Sequence, residues 1–504
     1  MLIVGAGPTG LVLALWLTKF DVRVRIIDRL AASGTTSRAL AVQGRTLEFY
    51  EQIGLAQAVV DRGHKVPAVN LWVKAKPAAR IPLENLGQGL TPFPFPIIFP
   101  QDEHETLLIK RLGALGIEIE REVELVDFED LGGTIRATLR RAGLEETGGY
   151  AYLAGCDGAR SRVREVLGTG FPGGTYDHLF YVADVDAAGP PMNGELHVDL
   201  DEADFLAVFP LDQTGRARLI GSIRDEAAKD HEHLRFEDVR GRAIQNLKVE
   251  VKNVNWFSTY RVHHRVALHF RKGRAFLLGD AAHIHSPVGG QGMNTGIGDA
   301  VNLAWKLAAA LKEPLSSALL DSYEPERIAF ARRLVATTDR AFTAVISSGP
   351  FARFVRTKVI PAVAPALFRL LAMRRLAFRT VSQISVNYRE SPLSRGEAGK
   401  LRGGDRLPWV RIGQGQEHNF ASLASMDWQL HVYGDAPPDL RAVADSRKIP
   451  LHGFQWDERM QHAGLLRDAA YLIRPDGYIG MADAKSRASA IDAYLSEKNL
   501  STRN

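Results

Sequence analysis

Leu2-Ile3-Val4-Gly5-Ala6-Gly7-Pro8-Thr9-Gly10 is the stretch on which the fold turns, and the apolar run Leu11 to Phe20 follows it at once. Three apolar β-formers, a glycine turn and an apolar helix are then succeeded by Val22 to Asp28, an alternating strand that ends in a carboxylate. This order, with Gly5, Gly7 and Gly10 at the G-x-G-x-x-G spacing, predicts a βαβ dinucleotide-binding unit. In such a unit Gly5 permits the tight turn, Gly7 lets the backbone approach a pyrophosphate, and Gly10 lets helix and strand pack closely. The helix N-terminus favours the phosphate charge. Asp28 falls near the ~20-residue distance at which a carboxylate meets a ribose hydroxyl. Pro8, Thr9 and Arg29 flank these positions and complete the first set of candidate cofactor contacts. The fingerprint alone does not separate FAD from a nicotinamide cofactor.

Two later segments repeat the logic. Gly155-Cys156-Asp157-Gly158-Ala159-Arg160-Ser161 follows the apolar Tyr152-Leu153-Ala154, so it reads as a strand end entering a helix. Arg274 to Leu278 reads as a buried strand that ends in Gly279-Asp280-Ala281-Ala282-His283. A ligand meets a parallel sheet at such carboxyl ends. Pro287 to Asn294 is glycine-rich and precedes a helix expected from about Thr295 to Leu311.

The three segments, in this order, resemble the FAD-dependent aromatic hydroxylases, the class A flavoprotein monooxygenases related to phenol hydroxylase. Tyr260 to Ala267 also fits that branch, and the resemblance spans roughly residues 1–390. It implies an α/β fold: a Rossmann-type FAD-binding domain, an inserted antiparallel β-sheet substrate domain and a C-terminal thioredoxin-like domain. It implies that Asp28 holds the adenosine ribose and that Asp280 binds the ribitol or a nearby ribose hydroxyl. Pro287, Gly290, Gly292, Met293 and Asn294 would lie along the isoalloxazine, with Arg45, Pro287 and Gly292 at its faces. Asp157 and Gly158 would sit near the FAD and the nicotinamide path; Arg38 and Arg45 match a cofactor-contacting segment, and Gln101 a glutamine near the ribityl chain. The implied reaction uses NADPH or NADH and O2, through a C4a-hydroperoxyflavin, to hydroxylate a phenolic or polycyclic polyketide substrate. A Baeyer–Villiger or epoxidising oxygenase on the same scaffold, or a flavin reductase, remains open on the sequence.

Other readings compete at single residues. Asp157 and Asp280 are also placed to act as helix caps. Arg160, Arg162 and Arg164 suit a solvated face. His283 and His285 have no third ligand at matching spacing, so no metal is expected. Cys156 suits a small packed side chain.

The expected domain limits are 1–175 with 269–345 for the FAD-binding domain, 176–268 with about 68–98 for the substrate sheet, 346–395 for a helical connection and 396–504 for the C-terminal domain. Trp72, Phe93, Phe95, Phe209 and Pro210 are the candidate pocket liners. Pro361 and Pro365 should break any long helix in the connection. That connection is basic and apolar, which suits either a membrane-surface helix or a core or dimer surface. The C-terminal segment has no cysteine, so it has no dithiol chemistry.

Composition is that of a globular protein, with 45% hydrophobic residues, 24% charged residues and a net charge of +5 over 504 residues. The near balance of charge argues against nucleic-acid binding. One cysteine excludes an internal disulfide and fits a cytoplasmic setting. No leader is expected, although the abrupt start of the first strand points to a few residues missing upstream. No apolar run reaches the ~18 residues of a membrane span. A small aromatic molecule is the expected partner, and a homodimer is left open.

Overall fold

The computed structural model describes residues 1–500 except 35–38, 201–204, 213–214, 224–233, 240, 287, 313–316, 347–348 and 416. Its first sheet is built from β1 (Leu2–Val4), β2 (Arg25–Asp28), β3 (Ile119–Arg121), β4 (Leu153–Gly155), β5 (Arg271–Lys272) and β6 (Ala275–Leu277). The spatial order is β5-β6-β4-β1-β2-β3, with every pair parallel except the β5–β6 hairpin. The second strand is shorter than the alternation of Val22 to Asp28 predicts, because Val22 to Val24 lie outside the ladder. The carboxyl ends of β1, β2, β4 and β6 share one edge, so Gly5, Asp28, Cys156-Asp157 and Gly279-Asp280 converge there.

Helix α1 (Pro8–Lys19) is buried along its length from Gly10 to Leu17, which explains why its sequence is apolar on every side. It packs between the sheet and α4 (Gly292–Lys312), whose buried residues likewise surround it. The remaining helices that shape the site are α2 (Gly44–Gln52), α3 (Gln101–Ala114) and α5 (Tyr323–Ile346). A three-stranded antiparallel sheet, residues 123–150, lies at the side of this domain and has no counterpart in the sequence reading.

The second domain is an eight-stranded sheet. It includes the long strands Gly173–Ala188 and Glu250–Val266, which pair antiparallel. Strands Ala68–Val73 and Lys76–Pro82 join its edge. The sheet is not wholly antiparallel, since Leu196–Asp199 pairs parallel with Ala68–Val73. The Phe93 to Pro96 stretch stays outside it; the neighbouring Ile97–Ile98 pairs instead with Ala41–Val42 and His64–Lys65.

In the connection, Pro361 and Pro365 do not break the helix. Helical backbone runs from Pro350 to Leu367 through a π turn at Val355–Val359. Pro361 sits in the first turn after that π turn, where its missing N–H is tolerated. The C-terminal unit has a four-stranded sheet in the order Leu451–Phe454, Gln429–Tyr433, Ala470–Ile473, Ile479–Asp483. Its first pair is parallel and the other two antiparallel.

A buried ionic cluster joins this unit to α4 and α5. Lys306 and Arg474 both bind Glu326, at 2.8 Å, and all three side chains are fully buried. Arg474 also binds Asp476 at 2.7 Å, and Asp476 accepts from the indole of Trp305 at 3.1 Å. Burial works to raise the Glu326 carboxyl, but Arg474 and Lys306 override it and hold it below the usual range. Burial pushes the Lys306 ammonium down to about 8. Removing one member leaves the others charged and uncompensated in low dielectric. Glu326→Gln is therefore expected to cost about 3–5 kcal/mol. A lowered thermal midpoint, with faster proteolytic release of the C-terminal unit, is the expected readout.

Candidate functional site

The site is the edge where the first sheet ends. Gly5 has φ +103°, and a Cβ there would lie 2.3 Å from the Cys156 carbonyl oxygen. A Cβ on Gly10 would lie 2.0 Å from the Gly5 carbonyl oxygen, whereas one on Gly7 would meet nothing within 4 Å. Two of the three glycines are therefore fixed by protein contacts and the third faces open space. Helix α1 begins there with no acidic residue in its first turn and no side-chain cap. Its amides and dipole are thus left for an external anion. Asp28 accepts from the Ala6 amide at 2.7 Å and the Leu30 amide at 2.9 Å, which hold its carboxylate at the same edge; Arg29 is exposed beside it.

The Gly279-Asp280 turn is held from beneath by Asp299, a residue of α4. Its Oδ2 accepts from the Gly279 amide at 2.9 Å and faces His283 Nε2 at 2.7 Å. Its Oδ1 accepts from Arg327 Nε at 2.5 Å. Burial opposes the charge, but Arg327 and His283 keep the Asp299 carboxyl below the usual range. Gly279 takes φ +58° and lies against Thr9, so α1 and the turn are packed together, with Asp280 exposed at the tip.

The loop before α4 is fixed by Asn294. Its Oδ1 accepts from the Gln43 amide at 2.9 Å and Thr46 Oγ1 at 2.7 Å. Its Nδ2 donates to the carbonyls of Ala41 at 2.8 Å and Gly290 at 2.9 Å. The side chain is thus a staple, and the backbone amides of Gly292 and Met293 lie at a helix start with no acid in its first turn. Gly290 approaches Ala41 so closely that a Cβ would lie 2.8 Å from it. His283 and His285 turn to different partners, Asp299 and the Ser286 carbonyl. His285 Nε2 is buried without a partner, and burial pushes its ring down to about 4.

Arg38 and Pro287 lie outside the described residues. Arg45 does not face the loop: its guanidinium binds Glu48 at 2.7 Å and the Asp476 carbonyl at 2.7 Å, between the rings of Phe49 and Tyr478. Asp157 accepts from Ser161 Oγ at 2.5 Å and the Val163 amide at 3.0 Å, so it backs Ser161, the N-cap of the helix at 162–167, with Gly158 at φ +77° in the turn between. Gln101 opens α3 and donates to Glu105 at 2.7 Å.

The eight-stranded sheet forms a roof over this edge, one face of it meeting Leu40 and Ala41 beside the loop before α4. Phe209 and Ile220 pack with Leu40, Ala41, Val66 and Ile98 there. Phe209 pairs with Arg218, Arg218 with Asp184 and Asp184 with Trp256, one row across that face. Arg218 forms a two-pronged pair with Asp184, at 2.5 and 2.7 Å, a polar feature the sequence reading missed. Trp72 lies on the opposite face, in the cluster with Leu206 and Val208, and donates to His197 at 2.9 Å. Pro210 pairs with Ala217 of that same outer cluster. Pleat alternation thus removes both from the pocket. Phe93 and Phe95 pack against the first domain's core, with Lys65 over the Phe95 ring at 4.5 Å.

Two helix starts with no acid in the first turn, the Asp28 carboxylate and open space over Gly7 are what the two ends of a dinucleotide require. A family model described as an FAD binding domain matches residues 1–338. The chain is 34% identical to a 6-methylpretetramide 4-monooxygenase of Streptomyces rimosus, over 99% of this chain and 93% of that protein. It is 31% identical to a pentachlorophenol 4-monooxygenase of Sphingobium chlorophenolicum, over 98% and 96%. The structure of the anhydrotetracycline hydroxylase OxyS from Streptomyces rimosus superposes with a TM-score of 0.79 at 28% identity, over 98% and 97%.

Gly7→Ala is expected to fold normally yet retain FAD at least about tenfold more weakly, because its new Cβ meets only the space a pyrophosphate would fill. Thermal unfolding of the FAD-free protein alongside a fluorescence titration with FAD checks both halves. A second expectation concerns acid. His104 is buried against Tyr50 at 2.7 Å, and burial pushes its ring down to about 3. With an ordinary value of 6.5, His104 and His285 take up protons in the unfolded chain before the folded one. Stability is then full above pH 6.5 and falls as pH drops toward about 4 and 3. Denaturant midpoints across that window should decline less steeply in His104→Gln.

Proposed function

Because the chain belongs to the class A FAD-dependent aromatic monooxygenases, we propose that it hydroxylates a phenolic or polycyclic aromatic substrate with NAD(P)H and O2. The observation that carries this is the facing of two surfaces. Below is the cofactor edge, with the starts of α1 and α4 and the Gly279-Asp280 turn. Above is an apolar and aromatic sheet face bearing Phe209, Ile220 and Trp256. Relatives named for pretetramide, anhydrotetracycline and pentachlorophenol fit a pocket that takes phenols and larger aromatic scaffolds.

Each part of the chain has a task in this reading. Asp28 holds the adenosine ribose, Gly7 and the α1 amides the pyrophosphate, and Asp280 the ribityl side. The Gly292 and Met293 amides meet the polar edge of the ring system, where the positive end of α4 suits negative charge. FAD, when bound and reduced by the nicotinamide, supplies the O2 activation and the electrophilic oxygen. The roof sheet keeps water from the ring and holds the substrate flat against it. Arg218 and Asp184 offer paired polar groups to orient a substrate hydroxyl or carbonyl. Residues 396–504 are read as a thioredoxin-like domain whose role is structural, since the only cysteine is Cys156.

Purified protein given FAD, NAD(P)H and isotopically labelled O2 is expected to place the label as a ring hydroxyl on a phenol or a polycyclic aromatic. Label in a ring-expanded lactone, or nicotinamide oxidation with no oxygenated product across such a panel, would overturn the proposal. Asp280→Ala should lower flavin retention with the fold intact.

A further inference from the structure

Between Phe351 and Arg389 the chain carries eight Lys or Arg residues and no Asp or Glu. The same segment concentrates exposed apolar surface. Ten of the fifteen exposed large hydrophobic side chains among the described residues lie between Phe351 and Val381. Phe351 is 79% exposed, Leu376 59%, Leu370 57% and Phe354 56%. Ile360, Val363 and Leu367 recur three and four residues apart and form an apolar stripe along one helix, with Leu370 just past its end; Phe351 and Phe354, three apart, mark a face of the preceding helix. The cations Arg353, Lys358, Arg369, Arg375 and Arg379 are exposed among and beside them.

The patch is anchored to the body of the protein. Phe378 is buried against Gly44 and Gly87. Just beyond, Gln383 Nε2 donates to Thr295 Oγ1 at 2.9 Å and to the Gln291 carbonyl at 3.3 Å. The helices therefore present their apolar stripe outward from a fixed base beside the loop before α4.

We propose that this surface docks on an anionic lipid surface, with the apolar stripe in the headgroup boundary and the cations against lipid phosphates. Three considerations select that occupant. A symmetric contact with a second copy would set the patch against itself, and an acid-free patch has nothing to neutralise its own cations. A nucleic acid would match the cations but leave Phe351, Phe354 and Leu370 uncovered. Among the described residues no helix is long and apolar enough to cross a membrane, so the segment would lie on the surface rather than span it.

The test is co-sedimentation of the full-length flavin-loaded protein with vesicles of phosphatidylcholine alone or of phosphatidylcholine with phosphatidylglycerol. Binding is expected to the second kind, to weaken with salt, and to be slight with the first. The triple variant Lys358→Glu, Arg369→Glu, Arg375→Glu should bind more weakly, by roughly fivefold per cation and thus on the order of a hundredfold at least. Phe351→Ser with Leu370→Ser should also weaken binding, because insertion of the exposed apolar side chains is required. Unchanged flavin absorbance would show that the variants remain folded. No sedimentation with phosphatidylglycerol vesicles at low salt would overturn the proposal. So would full binding by the triple variant, or a self-association that the variants abolish in a protein that ignores both vesicles.

Discussion

The Asp299 carboxylate is one of two buried charges on a largely apolar helix, and the geometry of the cofactor edge follows from how it is satisfied. An unpaired carboxylate at that depth would take a proton or turn toward water. Here three groups hold it ionised: the Gly279 amide, the His283 ring and the Arg327 guanidinium. Each fixes a different element. The amide bond sets the left-handed Gly279 turn from which Asp280 emerges. The His283 contact ties down the chain that follows the turn, and Arg327 brings in α5. Such a cluster adds little net stability over a well-packed apolar one. What it contributes is position, since the partners fit only one arrangement of turn, α4 and α5.

Helix α5 extends the constraint. Arg327 donates to Asp299 on one side and to the Tyr388 hydroxyl on the other, at 2.8 Å. Its neighbour Glu326 binds Lys306 and Arg474. Two consecutive residues therefore connect the cofactor turn, the segment after the basic helices and the C-terminal unit. Side chains next to each other on a helix point about 100° apart, which is what lets one turn of α5 serve both networks.

The glycine fingerprint was legible because a βαβ turn with a close helix and a phosphate above it leaves no room for a Cβ at its glycines: Gly5 and Gly10 meet the protein, and Gly7 faces open space. Gly5, Gly10 and Gly279 each sit where a Cβ would collide or strain. The strands of the roof were legible by alternation, but which face looks inward was not. Trp72 and Phe209 are equally aromatic, and only the pairing register places them on opposite sides. Asp157 satisfied the motif while its carboxylate braces the N-cap Ser161 and the first helical turn. The partners of Asp299 come from two separated stretches, the 279–283 turn and Arg327 of α5, so no spacing rule reveals them. One signal was available: Asp299 and Lys306 are charges inside an apolar helical run, and charges there persist only when paired.

Arg45 carries the last step. It lies two residues beyond Gln43, whose amide meets Asn294 at the cofactor loop, yet it faces the other way. With Glu48 one helical turn on, it forms a second buried ionic group. Glu48 accepts from Arg45 and Arg406, and Arg45 reaches the Asp476 carbonyl. Two clusters, one at Glu48 and one at Glu326, joined through Asp476, thus draw cations from the C-terminal unit, Arg406 and Arg474. Without that unit, Glu48 and Glu326 would each lose a guanidinium partner in a buried setting. Helices α2 and α5, which brace the loop before α4 and the Gly279 turn, would then carry unmatched charges in their own cores. The C-terminal unit is therefore part of the scaffold that shapes the cofactor edge, although it adds no residue to it.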